Sequence, residues 1–480
     1  MNKSMIRYLL SKLLLIEACL LLVPVVIAVI YQEPAKVFLS LGLTIGILLI
    51  LGGVGIFFKP KDAHIYAKEG VLIVALCWIL WSFFGALPFV FSGQIPNIID
   101  AFFEVSSGFT TTGATILNDV GVLSHSLLFW RSFTHLIGGM GVLVFALAIM
   151  DNAKNGHLEV MKAEVPGPVF GKVVSKLKDT AQILYIIYLA LFAIFTLLYF
   201  LAGMPLFDSF IIGMGTAGTG GFTVYNDGIA HYNSPLITYL VSFGVLTFGV
   251  NFNLYYFFLI RKFKAFFADE ELKGYLTIVG VSTLLITFNI LHIFHGNIAD
   301  SLEMSFFQVS NTITTTGFGF GNTVDWPLFS QFIILLLMCI GGSAGSTAGG
   351  FKVIRCMILA RIAKNQILST LSPNRVLTLH VNGNVLDKDT LHKVLKYMVV
   401  YMMIIAALIF IVSFDSNNFM TVVSGVLSCF NNIGPMIGTT ESFSIFSPLS
   451  KFLLSLAMIA GRLEIYPMLL LFLPKTWSRR

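Results

Sequence analysis

Charged side chains are scarce in this chain of 480 residues. Only 11% of its residues are Asp, Glu, Lys or Arg, whereas 56% are hydrophobic. A soluble protein of this length carries more charge on its surface. The composition therefore speaks against a soluble fold and is sufficient for many membrane spans.

Cysteine is rare as well. The five cysteines lie in or beside apolar runs and show no CxxC spacing: Cys19, Cys77, Cys339, Cys356 and Cys429. This pattern is typical of small buried hydrophobic residues. It indicates neither a disulfide set nor a metal site.

The N-terminal segment lacks a signal-peptide cleavage site. Lys3, Arg7 and Lys12 precede an apolar run at 13–30, but Glu17 interrupts that run and no A-x-A-like site follows. We therefore predict a first transmembrane helix with a cytoplasmic N-terminus and a second at 37–58. These helices form an extra pair within residues 1–70.

Four glycine-containing segments recur along the rest of the chain. Their sequences are EVSSGFTTTG at 104–113, MGTAGTGGF at 214–222, NTITTTGFGFG at 311–321 and CFNNIGP at 429–435. Matching glycines stand 107, 97 and 117 residues apart, at Gly113, Gly220, Gly317 and Gly434. Phe103, Phe210 and Phe307 each precede such a glycine by ten residues. An internal repeat of this length predicts four similar loops around one axis.

Threonine and glycine in these segments suit a cation filter. Glycine permits positive φ, so successive carbonyl groups can point the same way. Such a run can present a row of oxygens to a dehydrated cation, as the TVGYG loops of potassium channels do. A single copy would fit an ordinary turn or a small-residue helix contact equally well. The candidate ligands are Thr111, Thr112, Gly113, Thr219, Gly220, Thr315, Thr316, Gly317, Asn432, Ile433 and Gly434.

Apolar helices flank every filter segment. The predicted repeats and their outer helices are 71–165 (71–91 and 127–150), 166–270 (181–201 and 236–260), 271–385 (275–295, then 329–340 continuing past a break to 363) and 386–480 (391–414 and 449–473). The short apolar pieces before the filters, such as 98–107, suit re-entrant helices. The sequence thus predicts an all-α integral membrane protein with ten spans, in which four helix–pore loop–helix repeats surround one pore beside the N-terminal pair.

Basic residues support this topology. Of the 30 Lys and Arg residues, 26 fall in predicted cytoplasmic segments, and the exceptions are Lys36, Arg131, Lys451 and Arg462. This asymmetry follows the positive-inside rule and places the four filters on the external side. The basic charges lie in short loops beside spans, so we expect no nucleic-acid partner.

A glycine- and serine-rich segment, IGGSAGSTAGG at 340–350, interrupts a predicted span. Non-helical backbone at membrane depth is tolerated where it is buried or lines a wet cavity. One interpretation is a gate below the filter, formed by Gly341, Gly342, Ser343, Gly345, Ser346 and Gly349. Another is close helix packing through small residues.

The same segment contains G-x-S-x-G at 341–345, the hydrolase nucleophile pattern. An intramembrane serine protease with His292 or His295 as the base is therefore a competing hypothesis.

Arg462 lies inside the last predicted span. A central arginine costs roughly 2.5–3.5 kcal/mol on insertion scales, so it should face protein or water. It is either a cation in the pore, where it repels potassium and bonds the carbonyls of the 341–350 loop, or one half of a structural ion pair.

Four features of the chain resemble the Trk/Ktr/HKT superfamily of potassium transporters, and its TrkH-like branch in particular. They are the filter glycines, N-x-G-P in the last repeat, the Gly/Ser loop and the Gly-Arg-Leu-Glu sequence at 461–464. The resemblance covers the whole chain. It implies four potassium-channel-like repeats in one polypeptide, a bacterial inner-membrane location and a homodimer. It also implies a cytosolic, Rossmann-type regulatory subunit of the TrkA type.

The resemblance implies potassium uptake, with potassium as the transported ion. Serine at the first filter glycine accompanies sodium permeation in plant relatives, and this chain has Gly113 there. One departure is Met436, where glycine is expected after N-x-G-P. Alternatives are a sodium- or ammonium-permeable pore and a potassium sensor that transports nothing.

Overall fold

The computed structural model describes residues 2–60, 66–141, 177–319, 324–371 and 378–477. Helices dominate this part of the chain because backbone groups in an apolar environment must bond within their own segment. A short antiparallel hairpin of β1 (His380–Val381) and β2 (Asn384–Val385) interrupts the helices.

The N-terminal pair is formed by α1 (Lys3–Leu20), α2 (Leu22–Ile30) and α3 (Ala35–Phe57). The first two helices together make one apolar stretch, Lys3–Ile30, of 28 residues. Two glycines of α3, at positions 52 and 55, face side chains of α1 and allow the helices to approach closely. The predicted helix pair is confirmed.

Each repeat begins with a long apolar helix. These four helices are α4 (Ala67–Ser92), α7 (Leu177–Leu201), α12 (Glu270–Ile290) and α16 (Lys388–Val412). Each is followed by a short pore helix: α5 (Ile98–Phe109), α8 (Leu206–Gly218), α13 (Ile298–Ile313) and α17 (Phe419–Asn431). Asn97, Asn297 and Asn418 cap three pore helices by accepting a backbone N–H.

The second helix of a repeat is broken in three cases. The segments are α6 (His125–Gly139), α9 (Pro235–Phe248) with α10 (Phe252–Leu259), α14 (Leu328–Ile340) with α15 (Val353–Leu371), and α18 (Pro448–Arg462) with α19 (Tyr466–Phe472). Helices α9 and α10 meet at 91°. The short helices α11 (Phe263–Ala268) and α20 (Pro474–Trp477), and 3₁₀ turns at Val120–Val122, Ile229–Tyr232 and Phe443–Ile445, complete the described chain.

The break in the third repeat confirms the prediction, but the continuous helices predicted at 236–260 and 449–473 are wrong. In the second repeat, Asn251 ends the break by accepting the N–H of Asn253, which starts a new helix. In the fourth repeat, Glu464 and Ile465 have φ of 54° and 71°, which no right-handed helix accommodates.

Six of the described helices are long and apolar enough to cross a membrane if α1 and α2 are counted as one, or seven if the bent pair α9–α10 is also one span. The other predicted spans are second helices, which are divided or, in the first repeat, described as far as Gly139. The predicted helix end at residue 150 and the boundary at 165–166 lie outside the described residues. The remaining repeat boundaries stay predictions.

The packing joins the repeats into one all-α fold with the predicted architecture. The largest apolar core combines the N-terminal pair with the first and fourth repeats, and includes Trp81, Phe109 and Leu454. Cys77 and Cys429 are buried as predicted, whereas Cys19 is exposed, so the prediction is wrong for that residue.

Candidate ion filter and intramembrane loop

Each pore helix ends in a three-residue segment of alternating backbone conformation. Positive φ occurs at the first residue, in Thr111 (56°), Thr219 (55°), Thr315 (55°) and Asn432 (59°). It recurs at the third residue, in Gly113 (79°), Gly221 (74°), Gly317 (72°) and Gly434 (111°), but not at the middle one. This alternation turns successive carbonyl groups toward the same side of the chain, as a cation filter requires.

In the second repeat, Gly221 corresponds in position to Gly113, Gly317 and Gly434. The middle residue of each segment donates its N–H to the carbonyl five residues earlier, always at 2.8 Å: Thr112 to Ser107, Gly220 to Gly215, Thr316 to Asn311 and Ile433 to Ser428. Gly220 therefore corresponds to Thr112, and the predicted match of Gly220 with Gly113 is wrong by one residue.

Burial explains this difference of one residue. The residue ten positions before Gly221 is Ile211, which is fully buried like Phe103 and Phe307. Phe210, which the spacing singled out, is 40% exposed. The adjacent glycines at 220 and 221 left both registers open in the sequence, and only the packing of the pore helix distinguishes them.

The four filter segments contact one another in chain order and close into a ring. In each contact, a Cβ on the filter glycine would overlap the middle carbonyl oxygen of the next segment: Gly113 with Gly220, Gly221 with Thr316, Gly317 with Ile433 and Gly434 with Thr112. A hydrogen bond of 2.9 Å from Asn432 Nδ2 to Thr112 Oγ1 also joins the last segment to the first. The predicted arrangement around one axis is confirmed by this geometry.

A buried ion pair lies next to the first filter segment. Arg131 Nε lies 2.6 Å from Glu104 Oε1, and the two side chains are 3% and 0% exposed. The other carboxylate oxygen accepts the N–H of Ile116 at 2.9 Å, just after the filter. The Arg131 guanidinium also lies 3.4 Å from the ring centre of Phe222, which follows the second filter. The sequence singled out Arg131 as an unusually placed cation but gave no partner for it.

A hydrogen bond between Asn226 and Asp119 joins the segment that follows the first filter to the segment that follows the second. Asn226 Nδ2 donates to Asp119 Oδ1 at 3.0 Å. This bond and the N–H of Gly121 favour the carboxylate form, so they lower the pKa of Asp119 from its ordinary value.

The Gly/Ser loop lies on the other side of the filter and is almost entirely buried. Its backbone bonds to the break in the second repeat, where Ser343 donates its N–H to Gly249 at 3.0 Å and Phe252 donates to Gly345 at 3.0 Å. Gly349 donates its N–H to Thr315 Oγ1 at 2.6 Å. The loop therefore lies against the third filter segment and fills the bend between α9 and α10.

Arg462 connects this loop to the first repeat. Its guanidinium donates to the carbonyl oxygens of Thr347 at 2.6 Å, Gly138 at 2.6 Å and Gly139 at 2.5 Å. The predicted contact between Arg462 and the loop carbonyls is thus present. Glu464 instead pairs with Arg355 at 2.5 Å. Together, the loop and Arg462 contact all four repeats below the filter.

The protease hypothesis is wrong. Ser343 Oγ is buried and has no hydrogen-bond partner among the described residues. His292 and His295 are exposed and follow the far end of α12, whereas the loop adjoins the first turn of that helix through Glu271. A helix of this length separates them by about 30 Å, so neither histidine can act as the base.

Comparisons with known proteins match nearly the whole chain to one family. The model of the TrkH family, described as cation transport proteins, matches residues 43–479. The Trk system potassium uptake protein TrkH of Salmonella typhimurium (strain LT2) is 33% identical over 469 residues, which cover 95% of each chain. The Trk system potassium uptake protein TrkG of Escherichia coli (strain K12) is 33% identical over 464 residues, with the same coverage.

A solved structure shows the same fold. The crystal structure of the potassium transporter TrkH from Vibrio parahaemolyticus matches the whole of both chains with a TM-score of 0.89 and 28% sequence identity. Family, relatives and structure all match nearly the full length of this multi-pass membrane chain, and they describe transporters and not enzymes. The chain belongs to the TrkH family of cation transport proteins.

Proposed function

We propose that this protein takes up potassium across the bacterial inner membrane through the ring of four filter segments. The closed ring is the observation that carries the proposal, because it brings four sets of similarly directed carbonyl groups together in one chain. Relatives that are 33% identical are named potassium uptake proteins, which supports potassium as the ion.

The carbonyl oxygens of the filter segments replace the hydration shell of the ion. The ligands are those predicted from the sequence, with Gly221 added in the second repeat: Thr111, Thr112, Gly113, Thr219, Gly220, Gly221, Thr315, Thr316, Gly317, Asn432, Ile433 and Gly434. The membrane potential drives uptake, at about 2.3 kcal/mol per charge per 100 mV.

The Gly/Ser loop and Arg462 form the gate. The gate residues are Gly341, Gly342, Ser343, Gly345, Ser346, Gly349 and Arg462. In the arrangement described, the loop is held across the region below the filter by bonds to the second and third repeats and to Arg462 of the fourth. The guanidinium adds an electrostatic barrier to a cation that leaves the filter.

The basic residues orient the protein, with a cytoplasmic N-terminus and external filters. The protein works as a homodimer. A cytosolic, Rossmann-type regulatory subunit, similar to TrkA, binds the basic segment 352–396, which continues directly from the loop. By pulling α15, that subunit moves the loop out of the pore.

Complementation of a potassium-uptake-deficient bacterium at low potassium tests this function. We expect growth when the chain is expressed with a suitable TrkA-like subunit, and potassium uptake that excess sodium or ammonium does not abolish. Absence of growth and of uptake, with the protein present in the membrane, would contradict potassium transport. Uptake that sodium or ammonium fully replaces would favour the less selective pore.

A further inference from the structure

We infer that Glu271 is a positioning residue of the gate, whose carboxylate holds the Gly/Ser loop and the start of α15 against α12. This inference rests on the proposed gate and assigns a second anchor to it, separate from Arg462. Glu271 stands in the first turn of α12 and is 5% exposed. A buried carboxylate needs hydrogen-bond donors, and those it has come from the loop and the helix that follows it.

One carboxylate oxygen receives both bonds. Glu271 Oε1 accepts the N–H of Ala344 at 2.8 Å and the N–H of Ile354 at 3.1 Å. Ala344 lies within the loop, and Ile354 lies in the first turn of α15, where backbone N–H groups lack partners in the helix. A negative charge at that end of a helix is also favourable. Glu271 therefore joins both sides of the segment that must move.

The carbonyl groups of the loop are held differently, by cations. Arg462 donates to the carbonyl of Thr347. The amino group of the buried Lys352 donates to the carbonyl of Ala348. Glu271 supplies the acceptor that these two donors cannot, because Arg and Lys side chains donate and do not accept.

Removal of this acceptor weakens the closed arrangement. Without Glu271, two buried N–H groups lose their partner, and such a loss is costlier than that of an exposed bond. Displacement of the loop then exposes these groups to water in the pore, which satisfies them. The balance shifts toward the open arrangement while the filter, formed by other residues, is unchanged.

Flux from potassium-loaded liposomes that contain the purified full-length chain, without any cytosolic subunit, tests this inference. We expect Glu271→Ala to raise basal potassium efflux several-fold while the preference for potassium over sodium is retained. Glu271→Gln keeps a carbonyl oxygen at the same position and should stay near the wild-type flux. Glu271→Asp withdraws the acceptor by one methylene and should leak, which covers the case in which the alanine variant does not fold. Glu270→Ala is the matched control, because Glu270 is adjacent, one-third exposed and paired with Arg361.

Arg462→Ala, measured in the same liposomes, separates the two proposals. If Arg462→Ala raises efflux but Glu271→Ala and Glu271→Asp do not, the role of Glu271 is overturned and the gate remains. If none of these variants raises efflux, the gate itself is wrong. A leak in Glu271→Gln equal to that of Glu271→Ala, or a leak that has lost potassium selectivity, would also overturn the inference, since either result indicates general damage.

Discussion

Gly221 combines two constraints that a side chain cannot meet. Its φ is 74°, a region that favours glycine, and a Cβ would overlap the carbonyl oxygen of Thr316. Gly113, at the same place in the first segment, would overlap the carbonyl of Gly220. A substitution at either position must therefore displace a carbonyl of the neighbouring segment, which is a proposed ligand of the ion.

We expect Gly221→Ala and Gly113→Ser each to reduce discrimination between potassium and sodium at least tenfold, because each displaces a carbonyl group of the neighbouring segment. A tenfold change corresponds to a shift of about 1.4 kcal/mol in the relative affinity for the two ions. The measurement is potassium and sodium uptake by the same cells. Gly296→Ala is the control: its φ is 83°, but a Cβ there meets nothing within 4 Å. Unchanged selectivity in folded Gly221→Ala would remove Gly221 from the filter.

The ion pair of Arg131 and Glu104 predicts a stability effect at the residue scale. Arg131→Met leaves a fully buried carboxylate without its cation, which costs about 3–5 kcal/mol. We expect a marked fall in the melting temperature of the detergent-solubilised protein. Glu104→Gln with Arg131→Met removes both charges and should recover part of the loss. If the double variant is as unstable as the two single losses added together, the pair does not act as a unit.

At the scale of elements, the second helices differ from the first. The described first helices of the repeats are unbroken, whereas the second helices of the second, third and fourth repeats bend or break below the filter. The loop between α14 and α15 occupies the space that the bend between α9 and α10 creates, and it bonds the backbone exposed there. If the second helix of either repeat were unbroken, the backbone bonds between the loop and the bend could not form.

We expect deletion of residues 344–347 and Arg462→Ala each to raise basal potassium flux without the cytosolic subunit. Both changes remove the bond between the guanidinium and Thr347. Their combination should therefore give less than the sum of the two effects on the free energy of opening. The measurement is tracer uptake in cells that lack the subunit. Wild-type flux in both single variants, with protein in the membrane, contradicts the gate.

At the scale of the molecule, one chain must close a ring that separate subunits form in a tetrameric channel. The contact between the first and last repeats completes it, where Asn432 Nδ2 donates to Thr112 Oγ1 and to the carbonyl of Met458. Asn432 and Thr112 are 320 positions apart in the chain. The Asn432 amide thus joins the first filter segment to the second helix of the fourth repeat.

A double-mutant cycle of Thr112→Val and Asn432→Ala tests this closure. We expect a coupling of about 1 kcal/mol between the two substitutions in the free energy of unfolding, which is in the range for a buried hydrogen bond. Thr112→Val combined with Asn297→Ala, whose side chain caps a distant pore helix, is the control and should be additive. Additivity in both cycles would show that the Asn432 amide does not join the first and last repeats.

The sequence by itself determined the helix pair, the four repeats and the interrupted span. Apolar runs long enough to cross a membrane, and a segment of five glycines among small residues, are local properties that require no knowledge of neighbours. The filter residues followed from the same kind of signal, since positive φ is a property of individual residues. In the first, third and fourth repeats, the predicted glycine is the one with positive φ.

Only the tertiary structure decided which of Gly220 and Gly221 corresponds in position to Gly113, because the burial of Ile211 in the packed pore helix sets that register. It also decided the breaks at Gly249 and Glu464 and the partners of Arg131 and Glu271. Each of these depends on contacts between residues that are far apart in the chain. A polar group at membrane depth needs a partner, and the sequence shows the need, but the packing of the repeats selects the partner.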